Sequence, residues 1–94
     1  MSITVKIPTP LQKLTNNKPE VAIDSGDLVC IRDLIGKLGE EFPGIEERIC
    51  DEAGKIRRFI NIYVNEEDIR FLQQDKTALK DGDEISIIPA IAGG

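Results

Sequence analysis

Apolar residues recur along this chain with two spacings, and the change from one to the other marks its elements. From Ser2 to Ile7, Ile3, Val5 and Ile7 alternate with Thr4 and Lys6, the period of a strand with one buried face. Pro8 and Pro10 end it, and Leu11 to Lys18, with Asn16-Asn17 ahead of Pro19, reads as a turn or loop. Alternation returns over Glu20 to Asp24, with Val21 and Ile23 on one side, so the two strands predict an N-terminal hairpin. Ser25-Gly26-Asp27 offers capping side chains and predicts a helix from near Leu28. There Ile31, Leu34, Ile35, Leu38 and Phe42 follow the three-four spacing of one buried stripe, with Arg32, Asp33, Lys37 and Glu40 opposite. Gly36 and Gly39 weaken that helix, each by ~1 kcal/mol against alanine, and Pro43-Gly44 stops it.

Ile45 to Ile49 is long enough for a single helical turn, and Asp51 to Arg57 is a polar, partly basic loop around Gly54. Phe59 to Val64 predicts a second strong strand, Asn65-Glu66-Glu67 a turn, and Asp68 to Phe71 a short return strand. The acidic run Glu66-Glu67-Asp68 reads as a solvated turn at a hairpin tip and not as a metal site. Leu72 to Lys80 is irregular, with Leu79 dipping into the core. Asp81-Gly82-Asp83 is turn chemistry, and Ile85 to Ile88 is the last strand. Pro89 cannot donate to a sheet ladder, so pairing should weaken there.

One main helix covers only one face of a sheet. Ile60, Ile62, Val64, Ile85 and Ile87 are assigned to the covered face, and Phe59, Tyr63 and Ile88 to the open one. An exposed apolar patch there suits a partner-binding surface. A register slip of one residue would exchange every one of these assignments.

Composition narrows the function classes. The 94 residues make one small domain, and 40% apolar with 4% aromatic content means a core of Ile, Leu and Val. A net charge of −5 argues against nucleic acid or an anionic membrane as partner. Histidine is absent, and with it the commonest general base and metal ligand. Cys30 and Cys50 are too few for a zinc or iron-sulfur site, and both read as small core residues. The opening Met1-Ser2-Ile3-Thr4-Val5-Lys6 goes directly into a strand pattern without a signal-peptide-like run, so the expected compartment is the cytoplasm.

The closing Gly93-Gly94 follows almost directly on the last strand and has no Cβ in either residue. Such a tail can thread a narrow channel and present a carboxylate without a clash. Asp81-Gly82-Asp83, an apolar strand and Gly93-Gly94 together resemble the ubiquitin-like sulfur carriers, the MoaD/ThiS family. Within it, Arg58 to Phe71 and Ile88-Pro89-Ala90-Ile91-Ala92-Gly93-Gly94 look most like the cysteine-biosynthesis carriers.

The resemblance implies an α+β fold of the β-grasp, ubiquitin-like type: a mixed sheet of four or five strands with one main helix across a face. The first and last strands would pair in parallel at its centre. Residues 1–90 would form the domain and 91–94 a flexible tail. The resemblance also implies a carrier and co-substrate, not an enzyme, with no cofactor of its own. An ATP-dependent activating partner would adenylate the Gly94 carboxylate, and a sulfur nucleophile would displace AMP to leave a thiocarboxylate. Ile91, Ala92 and Gly93 would thread the partner's channel. In the cysteine branch the sulfur attacks an aminoacrylate held on pyridoxal phosphate by a cysteine synthase, and a metallopeptidase releases the cysteine. The molybdopterin synthase small subunit, whose tail enters a large subunit and donates sulfur to a pterin, is the second reading. A ubiquitin-like protein modifier, or a plain β-grasp interaction module, is the third.

Overall fold

The computed structural model describes residues 2–89. The alternating stretches form the strands β1 (Ser2–Lys6), β2 (Glu20–Asp24), β3 (Ile60–Val64), β4 (Glu67–Asp68) and β5 (Glu84–Pro89). They join one mixed sheet in the order β2-β1-β5-β3-β4. β1 pairs antiparallel with β2 and parallel with β5, and β5 pairs antiparallel with β3. The first and last strands are therefore neighbours, as a β-grasp fold requires. β5 has its turn in Asp81-Gly82-Asp83, where Gly82 takes φ +90°, a conformation that costs a residue without Cβ little. Asp83 locks this turn: its carboxylate accepts from the Lys80 N–H (2.9 Å) and from the Asn65 amide (2.9 Å) across the sheet.

Two helices cover one face, α1 (Ile31–Glu41) and α2 (Ile45–Ile49). Ile31, Leu34, Ile35 and Leu38 of α1 and Ile45 and Ile49 of α2 are buried in one cluster with Ile3, Val5, Ile23, Ile62, Ile85 and Ile87. Phe42 and Leu79 pack partly buried against it.

Three stretches differ from expectation, each because a side chain competes for the backbone. The helix begins at Ile31 and not near Leu28. Residues 25–28 close a turn instead, with the Leu28 N–H on the Ser25 carbonyl (3.1 Å) and the Gly26 N–H on the Asp24 carboxylate (2.9 Å). Capping comes from inside the helix: Asp33 accepts from the N–H groups of Val29 (3.0 Å) and Cys30 (3.3 Å). The expected loop after β1 contains a 3-10 helix, Thr9–Thr15, that buries Leu11 and Thr15. The Thr15 hydroxyl donates to the Lys18 carbonyl (2.9 Å) and folds Asn16-Asn17 back under it. Finally, the return strand after β3 is only Glu67–Asp68, because the Asp68 carboxylate accepts from the Arg70 N–H (2.9 Å) and bends Ile69–Phe71 into a 3-10 helix.

Candidate functional site

The sheet register decides which side chains can face a partner. Across β3 and β5, Ile62 stands opposite Ile87 and Val64 opposite Ile85, while Asn61 stands opposite Ile88 and Tyr63 opposite Ser86. Successive residues alternate faces, so Ile87 is 4% exposed and its neighbour Ile88 is 47% exposed. β1 extends the open face with Thr4 beside Glu84 and Lys6 beside Ser86. The Lys6 ammonium lies 3.3 Å from the Glu84 carboxylate across that face.

Ile88 is exposed on a mostly polar face, and Phe59, 52% exposed, sits in the turn closed by the Ile60 N–H on the Arg57 carbonyl (3.0 Å). Tyr63 is half-buried between Ser86 and Asp68 on the neighbouring strands. The chain leaves β5 at Pro89 beside Ile60, close to Phe59. Ile91, Ala92, Gly93 and Gly94, the expected threading and reactive residues, lie outside the described residues.

Two ion pairs flank this region, and pattern reading found neither. Asp68 was expected in a solvated turn, but its side chain is 7% exposed and meets the Arg70 guanidinium at 2.7 Å. Hydrogen bonds from the Arg70 side chain, then from its backbone N–H, hold the Asp68 carboxyl below the ordinary aspartate range. Arg32 reaches from α1 to Asp75 (2.8 Å) and to the Gly54 carbonyl, tying the helix to the loop before β3. Opposite charges two residues apart, as at Asp68 and Arg70, were the available signal. The Arg32–Asp75 pair left none, since its partners are far apart in sequence.

The two cysteines sit in different settings. Cys50 is buried, and burial raises its thiol pKa, which Arg32 only partly opposes. Cys30 departs from the expected core position: it is half-exposed and caps α1. Among the described residues no group of three His, Cys, Asp or Glu side chains could hold a metal ion. No helix among them is long and apolar enough to cross a membrane.

Comparison with known proteins places this architecture. The profile of the ThiS family matches residues 5–94. The sulfur carrier protein CysO of Mycobacterium tuberculosis is 45% identical over 96 residues, covering 100% of both chains. Its crystal structure superposes with a TM-score of 0.85 at 43% identity, over 95% of this chain and 99% of that one. A chain of the Amycolatopsis orientalis BexX/CysO complex gives a TM-score of 0.88 at 38% identity, covering 98% of this chain and 99% of that one. The molybdopterin synthase sulfur carrier subunit of Chlamydomonas reinhardtii is 32% identical over 75 residues, 80% of this chain and 78% of that one.

Proposed function

This chain belongs to the ThiS family, and from that premise we propose that it is a sulfur carrier whose reactive group is the Gly94 carboxylate. The observation that carries this reading is the 45% identity, over the whole of both chains, to a sulfur carrier protein. A carboxylate is a poor electrophile at neutral pH. An activating partner removes that barrier by letting a Gly94 oxygen attack the α-phosphate of ATP; pyrophosphate leaves and an acyl adenylate remains. Hydrosulfide or an equivalent sulfur nucleophile then attacks the acyl carbon and expels AMP, leaving the thiocarboxylate. Sulfur suits this step because it is polarisable and weakly hydrated. In this reading the chain binds no cofactor of its own, and ATP belongs to the activating partner.

The folded body serves as the handle. Ile88 and Phe59 are exposed where the chain leaves the sheet, with Tyr63 alongside. They form the surface that a partner grips while Ile91, Ala92 and Gly93 thread its channel. The acceptor is cysteine synthesis, through a pyridoxal-phosphate cysteine synthase and a releasing metallopeptidase. Sequence supports this branch, since the match to CysO is higher and fuller than that to the molybdopterin synthase subunit.

The test is intact mass spectrometry after incubation with ATP, a sulfide source and an adenylating enzyme of a ThiS-family pathway. The expected product gains the mass difference of one sulfur replacing one oxygen, and one residue added after Gly94 abolishes it. Full conversion of the extended variant would overturn the carrier reading. Offered to a cysteine synthase with activated serine, the thiocarboxylate should give a cysteine adduct on Gly94. Transfer only to a pterin precursor on a molybdopterin synthase large subunit would move the chain to the other branch.

A further inference from the structure

β4 is two residues long, so it covers the outer edge of β3 only at Tyr63 and Val64. On that side Ile60, Asn61 and Ile62 have no strand partner among the described residues. The open edge forms the floor of a groove of about 750 Å3, walled by Arg32 of α1, by Lys55, Arg57 and Arg58 of the loop before β3, and by Arg70.

The groove reverses the charge of the molecule. It holds five of the chain's 12 basic residues and two of its 17 acidic ones, Asp68 and Asp75. Both of those carboxylates are spent, Asp68 on Arg70 and Asp75 on Arg32. Lys55, Arg57 and Arg58 have no carboxylate within ion-pair distance among the described residues. Arg57 is held in place by the Glu47 carbonyl (2.9 and 3.1 Å), a contact that leaves its charge uncompensated. Asn61 lines the same groove, and its side-chain oxygen is buried without a hydrogen-bond partner among the described residues.

We propose that this groove takes an extended acidic segment of a partner protein, added as a short strand to the free edge of β3. The Ile60 carbonyl and the Ile62 backbone face the uncovered side and supply the pairing groups for a short added strand, while the Ile60 N–H stays on the Arg57 carbonyl; the flanking cations supply its preference for carboxylates. The cations come from three separate elements and ring the groove, which suits several carboxylates spaced along a chain better than one compact anion. The proposal stands apart from the sulfur-carrier reading, because the free chain alone performs the recognition.

The test is a titration of the isotope-labelled protein with a short peptide alternating glutamate and valine, beside one alternating lysine and valine. The acidic peptide should shift the amides of Ile60, Asn61 and Ile62 and slow exchange of the Ile62 amide proton; the basic peptide should do neither. Lys55→Glu with Arg58→Glu should weaken binding by at least about tenfold with melting temperature unchanged, since neither side chain makes a hydrogen bond or ion pair among the described residues. Raising salt should weaken the parent complex. Four results would overturn the proposal: no binding of the acidic peptide, equal binding of the basic one, shifts confined to the open face around Ile88, or inorganic pyrophosphate displacing the peptide and binding as tightly. Self-association of the free chain that Arg58→Glu abolishes would assign the groove to a second copy and also overturn it.

Discussion

On the covered face of the sheet, Ile3, Val5, Ile23, Ile62, Ile85 and Ile87 meet the helices; on the open face, the alternate residues of the same strands are Thr4, Lys6, Ala22, Asn61, Ser86 and Ile88. The covered set is entirely β-branched and aliphatic, so it fills space but carries no directional information. The open set is mostly polar, and within it Ile88 is the exposed large hydrophobe of a strand among the described residues. The core needs many similar side chains, whereas recognition needs a few distinctive ones against a neutral ground. An apolar residue on the open face therefore says more about partners than any of the isoleucines beneath it.

The sharpest way to break this comparison uses two adjacent residues. Ile87→Asp puts a charge into the covered face, at a cost of several kcal/mol out of a total near ~5–15 kcal/mol. Far-UV circular dichroism should show it unfolded at room temperature. Ile88→Asp should stay folded, with Tm within about 4 °C of the parent, while losing affinity for the activating enzyme. If both unfold, Ile88 is core; if both fold, the face assignment is wrong.

A smaller effect tests the exception, a buried carboxylate that pairs with open-face Tyr63. Because the folded-state pKa of Asp68 is lowered, its contribution to stability is fully present above the unfolded value of about 4 and is lost as pH falls through the lower folded value. Between pH ~5 and pH ~2 the parent should therefore lose Tm more steeply than Asp68→Asn, as read by thermal melts across that range. Parallel curves would show that the Arg70 pair adds nothing to the fold.

The smallest effect sharpens the role of the covering layer. A Cβ at Gly36 meets nothing within 4 Å, so Gly36→Ala should gain about 0.5–1 kcal/mol from helix propensity alone. At Gly39 a Cβ would lie 2.6 Å from the Glu46 carboxylate and 3.0 Å from its Cβ, where α2 crosses close, so Gly39→Ala should gain less or lose. Thermal melts rank the two, and neither should alter partner binding by the open face.

Much of the architecture was legible because period-two and three-four spacings are local. Ile60, Ile62, Val64, Ile85 and Ile87 were assigned to the right face from alternation alone, and Ile45–Ile49 was recognised as one helical turn. What escaped notice was set by side chains reaching the backbone or distant partners. Asp33 capping α1 from within, Asp68 bending the chain at Arg70, and Arg32 clamping Asp75 leave no periodic trace. The cationic groove was half visible: Lys55-Ile56-Arg57-Arg58 is a dense basic run in an acidic chain, but only the fold brings Arg32 and Arg70 to it. Nor did the pattern show that β4 would be too short to cover β3.

The place of β5 has a consequence for how the molecule is made. It lies between β1 and β3, yet it is the last strand to leave the ribosome. Its parallel pairing with β1 closes a loop spanning most of the polypeptide, and contacts so distant in sequence form slowly. A nascent chain that stalls before Glu84 has two half-sheets with nothing to join them, and such exposed edges are what cellular proteases clear. The same strand that completes the fold leads to the residues that would carry the chemistry. A chain cut short of Glu84 thus lacks both the strand that joins the two half-sheets and the residues that follow it.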